Sequence, residues 1–256
     1  MSKLVDSPHL LFVLSFVTMW LAVRIGVFLR SKRKLDEDIH EYFGIIVTAT
    51  LTLTGLIIGF SFAMAVGRYD QRKNYEEAEA NAIGTEYARA DLLPSADAIK
   101  VRELLKDYLD LRVSSYSAGD ERQVRQIDSH TAQLQGQLWA AVVEAAEAEA
   151  HPTPVIAWVV VGMNDVLNSQ SSTQAAWINR IPAEAWVLMA AIAAICNLLV
   201  GYTAHRINPE SISFVVLPLV ISISFLLIAD IDSPRAGLVA VAPQNLQILQ
   251  QSLRAR

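Results

Sequence analysis

The stretch TATLTLTGLIIGF, Thr48–Phe60, decides the fold. Threonine recurs at every second position: Thr48, Thr50, Thr52 and Thr54. Strict alternation is the pattern of a strand with one wet face. The surroundings contradict that reading. No charged residue interrupts the chain from Tyr42 to Gly67, and a helix needs only about 20 such residues to cross a hydrocarbon core of about 30 Å. A membrane strand would need a closed barrel of many siblings, yet no other alternating segment occurs. Thr48–Phe60 is therefore predicted to be helical. Each threonine hydroxyl can then bond back to the carbonyl four residues earlier, which lets it survive in apolar surroundings.

Hydrophobic residues make up 53% of the 256-residue chain, above the roughly 45–50% of soluble domains. The excess gathers toward the two ends. Apolar runs lie at Leu10–Leu29 (broken only by Arg24), Tyr42–Gly67, Ala185–Ala204 and Ile212–Ala229. Each has about the length of a membrane span. Arg24 and Arg30, rather than a small-residue cleavage site, accompany the end of the first run, so it reads as a retained span and not a signal peptide. The predicted fold is all-α: a polytopic membrane protein with four transmembrane helices and a helical-bundle insert between helices 2 and 3. Residues 1–69 form one transmembrane hairpin, with spans at about 9–29 and 42–67. Residues 70–181 form a helical soluble domain. Residues 182–231 form a second hairpin, with spans at about 184–204 and 211–229, and residues 232–256 form a C-terminal tail.

Within the insert, Asp70–Leu93 continues the second span until Pro94 ends it. Ser95 is placed to cap a helix running to about Ser117, with Val101, Leu104, Leu105, Tyr108 and Leu109 on one face. Gly119 breaks that helix and Asp120 is placed to cap the next. Val124, Ile127, Thr131, Leu134, Leu138, Ala141 and Ala145 give the next helix a heptad-like stripe. A last helix begins at about Thr153.

Several functions are excluded. The net charge is −5 and no basic stripe with interleaved aromatics occurs, which argues against a nucleic-acid partner. Cys196 is the single cysteine, so neither an intrachain disulfide nor a cysteine metal cluster can form. Glu147 and His151 have helical i, i+4 spacing, but a metal site needs more ligands. No metal or cofactor is predicted. No Ser/His/Asp set, paired-carboxylate cleft or cysteine nucleophile stands out, so the chain is not expected to be an enzyme.

Four spans place both termini and the insert on one side. The short loops on the other side carry Arg30, Lys32, Arg33, Lys34 and Arg206. Positive charge in short loops marks the cytoplasmic side. Between Asp70 and Trp177 the insert has nine Lys/Arg against seventeen Asp/Glu. The expected arrangement is a multi-pass inner-membrane protein with cytoplasmic short loops and an extracytoplasmic helical domain. Arg68, Arg72 and Lys73, just beyond span two on the insert side, oppose it.

The segment GRYDQRKNYEEAEANAIGTEYARADLLP, Gly67–Pro94, and the segment ADIDSPRAGLVAV, Ala229–Val241, resemble the bacterial bestrophin-like family of four-span membrane proteins. With the span placement, the resemblance covers nearly the whole chain. A fainter likeness reaches the bestrophins themselves, whose second span carries Gly-Phe followed, nine residues after the Gly, by an Arg beside an aromatic. Here Gly59-Phe60 is followed by Arg68-Tyr69, then Arg72. Bestrophins are homopentameric anion channels whose second span lines the pore, so the resemblance implies a pore helix in span two. Bestrophins keep their helical region in the cytoplasm; the charge pattern here points to the other side.

At 100° per residue span two has two faces of interest. Thr48, Thr52, Gly55, Gly59, Ala63 and Gly67 form a small-residue ridge suited to close helix packing. Thr50, Thr54, Ile57, Ser61, Met64 and Arg68 lie opposite. As pore lining, this stripe would offer hydroxyls, a narrow apolar gate near Ile57, and a cation to attract anions. The competing assignment is a second helix interface, with Arg68 snorkelling to headgroups. Arg24 is an intramembrane charge for which snorkelling also suffices. Asp230 and Asp232 close span four within reach of pairing with Arg68 or Arg72, and Arg235 is similarly placed. Glu77, Asn81, Thr85 and Arg89, with Asn164 and Asp165, are assigned to a polar network inside the bundle.

The expected function is a homo-oligomeric ion channel, anion-permeable, with span two lining the pore. Its expected partners are the lipid bilayer, further copies of the chain and inorganic ions. The alternative is a membrane sensor or scaffold whose helical domain binds a ligand or a protein. A transporter ranks third: no inverted repeat is evident, although Pro218 could kink span four.

Overall fold

The computed structural model describes residues 7–32, 37–148, 154–203, 213–234 and 237–255. Arg33, Lys34, His151, Thr153, Arg206 and Arg235 lie outside them. The helices are α1 (Pro8–Lys32), α2 (Glu37–Arg89), α3 (Ser95–Ser115), α4 (Glu121–Ala148), α5 (Pro154–Ile178), α6 (Ala183–Thr203), α7 (Ser213–Asp232) and α8 (Gln244–Arg254), with a 3-10 turn at Ala90–Leu92. No strand occurs among the described residues. Four helical segments are long and apolar enough to cross a membrane. The alternating threonines are helical, and each hydroxyl donates to the carbonyl four residues back: Thr48 to Gly44 at 2.9 Å, Thr50 to Ile46 at 2.7 Å, Thr52 to Thr48 at 2.9 Å and Thr54 to Thr50 at 2.7 Å.

The chain divides into two compact units, Met1–Tyr69 with Arg180–Ala240 and Asp70–Asn179 with Val241–Arg256. In the first, α1 packs against α6 and α7. Gly26 and Gly201 set the α1–α6 approach. A Cβ on Gly26 would overlap the Leu198 carbonyl oxygen, and one on Gly201 would overlap that of Val23. Backbone meets backbone there, the use to which small residues are put between spans. The unit's core gathers Met19, Ala65, Trp186, Met189, Ala193, Phe225 and Ile228, with the rings of Trp186 and Phe225 edge to face at 6.0 Å. α7 runs on through Pro218.

The second unit holds the C-terminal part of α2 with α3, α4, α5 and α8. Its core includes Ile83, Val101, Leu105, Tyr108, Leu138, Val142, Val159, Met163 and Leu246. Pro94 forces the preceding residue to be extended, and Leu93 accordingly has φ −86° and ψ 160°. Ser95 is the first residue of α3 and not its cap. The N-cap position falls on Pro94, which has no side-chain hydrogen bond to offer. Asp120 does cap α4: its Oδ1 accepts from the Gln123 amide at 2.7 Å, and the Gln123 side chain accepts from the Gly119 amide at 3.0 Å. This is a reciprocal capping arrangement. The tail at 232–256 is not featureless. It contains α8, whose Leu246 and Leu253 are buried and which packs against α3.

Candidate functional site

The apolar part of α2 differs from the other spans in how little of it the chain covers. In its most apolar window 6% of residues are buried, against 28% in α1 and 50% in α7. The buried residues share one face. Thr54 is 3% exposed, Ser61 6% and Ala65 0%, with Thr50, Ile57, Ile58 and Arg68 half-buried beside them. Ile57, Ile58, Val66 and Tyr69 pack on the core of the first unit. Thr50, Thr54, Ile57, Ser61 and Arg68, expected to meet ions, thus lie on the side of α2 turned toward the chain's own helices. Met64 is 43% exposed.

The ridge expected to pack is the open one. Thr48, Thr52, Gly55, Gly59, Ala63 and Gly67 are all exposed, and a Cβ added to Gly55, Gly59 or Gly67 would meet nothing within 4 Å. Leu56 at 53% and Phe60 at 65% stand out beside them. The open face lies opposite the packed one, and among the described residues nothing lies within 4 Å of a Cβ placed on its glycines.

Where the spans end, an ionic cluster forms within the first unit. Asp232 is fully buried. Its carboxylate accepts from the Ile181 amide at 3.1 Å, meets Arg68 Nη1 at 3.4 Å and lies 4.0 Å from Arg180 Nε. One carboxylate therefore ties the end of span two to the start of span three. Asp230 accepts from the Leu238 and Val239 amides at 2.7 and 2.9 Å, folding the chain after α7 back on itself. The two aspartates do different work: Asp232 pairs with Arg68, and Asp230 holds backbone. Arg72 is buried and belongs to the second unit.

In the second unit the residues assigned to a polar network come together only in part: Arg89 and Asp165 both face Glu86, and the others join no shared buried site among the described residues. Glu77, Asn81, Thr85, Asn164 and Asp165 are exposed, and Arg89 is half-buried. The buried polar face of α2 lies one position away, at Arg72, Glu76, Glu79 and Glu86. Glu79 Oε1 accepts from Arg112 Nε at 2.5 Å and its Oε2 from Thr173 at 2.9 Å. Burial works against the Arg112 charge, but Glu79 outweighs it and holds the guanidinium charged. Burial, then Glu79, pushes the neighbouring Tyr108 and Tyr116 phenols up, keeping them neutral. Glu76 accepts from the Leu246 amide at 2.9 Å and from Asn245 Nδ2 at 2.7 Å. Pro243 occupies the N-cap of α8 and provides no side-chain bond; Glu76 supplies it from α2, where the helix dipole favours a negative charge. These acids sit among Ala80, Ile83, Tyr87 and Ala90 on the apolar stripe of α2, which is the signal that would have found them. No cluster of three metal-ligating side chains occurs among the described residues.

A family model described as a Bestrophin-like domain matches residues 9–246. No curated protein matches the chain. Among solved structures, a bacterial bestrophin homologue from Klebsiella pneumoniae is similar at TM-score 0.65 and 11% identity, covering 96% of this chain and 96% of that one. A point variant of a bacterial bestrophin homologue from the same organism gives TM-score 0.65 and 11% identity over 95% and 98%. A chain described only as a membrane protein gives TM-score 0.66 and 11% identity over 95% and 97%. At such identities the likeness is one of fold.

Proposed function

Because this chain belongs to the bestrophin-like family, we propose that it is a homo-oligomeric ion channel with span two around the axis and a preference for anions. The observation that carries this reading is the one-sided packing of α2. A helix that rests on its own subunit along one face and is bare opposite is built for an inner ring. The face turned from the subunit meets the axis, and the flanks meet neighbouring copies. By this geometry Thr52, Leu56, Gly59 and Ala63 line the pore. Small residues let the copies approach, and Leu56 with Phe60 forms an apolar constriction of the kind that gates by dewetting. Thr50, Thr54 and Ser61 are assigned to holding the helix against its own subunit. Arg68, at the end of the span, is paired with Asp232 on the packed side, so the preference for anions rests on the family likeness rather than on a cation in the pore. The Lys/Arg residues of the short loops, Arg30, Lys32, Arg33, Lys34 and Arg206, orient those loops toward the cytoplasm of an inner membrane, with the helical domain outside.

Planar-bilayer recording of the purified protein tests the reading. Leu56→Ser is expected to change conductance several-fold and Thr54→Ala to leave it unchanged, and the wild-type reversal potential in a chloride gradient is expected to lie on the anion side. No current from wild type in any lipid overturns the channel and favours a sensor or scaffold. Current sensitive to Thr54→Ala but not to Leu56→Ser overturns the choice of face. A cytoplasmic reporter fused at Gly119 that is active overturns the orientation.

A further inference from the structure

Glu86 differs from the other buried acids of the second unit. Glu76 and Glu79 are met by donors; Glu86 is not. Its side chain is fully buried, and both carboxyl oxygens lack a hydrogen-bond partner among the described residues. Arg89 Nη1 is 3.9 Å from Oε2, beyond hydrogen-bond reach. The Arg89 guanidinium also sits over the Trp158 ring, 5.8 Å from its centroid. A Cβ on Gly162 would overlap both Glu86 Oε2 and Arg89 Nη1. The carboxyl therefore lies directly on the backbone of α5, in a gap that only glycine leaves.

A dry carboxylate without donors is among the costliest groups a protein can hold, and such a group gives up its charge instead. Two charged groups face it: Arg89, from its own helix, and Asp165, from α5. Burial first, with Arg89 opposing and Asp165 adding, pushes the Glu86 carboxyl up to about 8 from its ordinary 4.5.

We propose that Glu86 carries a proton at neutral pH and acts as a latch, letting α2 lie on Gly162 of α5 while protonated and loosening that contact as it ionises. The direction follows from linkage. The folded contact binds the proton more tightly than the opened one. The stabilisation is complete below the ordinary carboxylate value, shrinks as pH rises, and is gone above the folded value.

Hydrogen exchange of the full-length protein in detergent, corrected for the intrinsic pH dependence of exchange, reads this directly. Protection of the α5 peptides around Gly162 is expected to fall by up to about tenfold per pH unit between pH 6 and 8 and to level off above that. Glu86→Gln, which keeps the shape and removes the titration, is expected to flatten the profile. Asp165→Asn removes the repelling charge and is expected to move the levelling point down; Arg89→Gln removes the attracting charge and is expected to move it up. A flat wild-type profile overturns the latch, as does a slope that survives in Glu86→Gln. If Glu86→Gln does not fold, the other two variants decide: opposite shifts support the latch, while shifts of one sign or none overturn it. No conductance is needed for this test.

Discussion

The two halves of α2 are built by opposite rules. From Tyr42 to Gly67 the helix is uncharged and almost uncovered, with 6% of its most apolar window buried. From Asp70 to Arg89 it is rich in charge, yet Arg72, Glu76, Glu79 and Glu86 are buried. Hydrophobicity does not decide burial along this helix; helices packed against it do, and most of the buried charges find partners there. The charged half finds Arg112, Thr173, Asn245 and the α8 amides. Among the described residues the apolar half finds a partner on one side only.

If the charged half is completed within the chain, breaking one of its pairs carries a large cost. Arg112→Ala leaves Glu79 buried with only Thr173, and the loss expected for a stranded buried charge is about 3–5 kcal/mol. Thermal unfolding in detergent would show it as a large drop in Tm, or as failure to accumulate folded protein. The double variant Arg112→Met with Glu79→Met removes both charges and is expected to cost much less. A double variant as unstable as the single one would mean that packing, rather than charge pairing, holds this face.

The approach of α1 to α6 comes next. Gly201→Leu drives a side chain into the Val23 carbonyl and is expected to cost about 1–3 kcal/mol, the range for overpacking a tight contact. The change belongs to the first unit, so it separates the stability of the spans from that of the helical domain. Glu76→Ala follows, at about 1–2 kcal/mol, the usual effect of losing a cap. Its specific signature is lost amide protection at the start of α8, with α3 unchanged.

Local rules made much of this legible. The threonine run reads as helix because its length and lack of charge outweigh its alternation. Asp120 reads as a cap because it follows the break at Gly119; the structure adds Gln123 as its reciprocal partner. The spans read from length and composition. Which face of α2 packs was not legible. Thr50, Thr54 and Ser61 are as small as Thr48, Thr52 and Gly59, so periodicity separates two faces without ranking them. The ranking comes from the shapes of α6 and α7, which lie more than a hundred residues away in sequence. The buried acids were missed because a glutamate reads as surface unless its apolar neighbours are weighed. Ala80, Ile83, Tyr87 and Ala90 mark the face that the assignment to Glu77, Asn81 and Thr85 overlooked. The spacing of Leu246, Leu249 and Leu253 likewise marks α8 within the C-terminal tail.

The smallest expected effect on a single chain is the one that separates the two halves most sharply. Leu56 is 53% exposed and is assigned to the open face of α2. Replacing it with serine removes little packing within the subunit, and the expected change in unfolding is within about 0.5 kcal/mol, as for other exposed positions. The same change on the packed face is not so mild: Ile57 contributes to the core of the first unit, and Ile57→Ser takes away apolar contact there, for an expected loss of about 1–3 kcal/mol. Thermal unfolding of the two variants, beside size-exclusion chromatography with light scattering, distinguishes the faces. Leu56→Ser should keep the subunit's Tm while altering assembly or current; Ile57→Ser should lower Tm first. If Leu56→Ser destabilises the isolated subunit as much as Ile57→Ser does, the open face is not open, and the assignment of α2 to an inner ring fails with it.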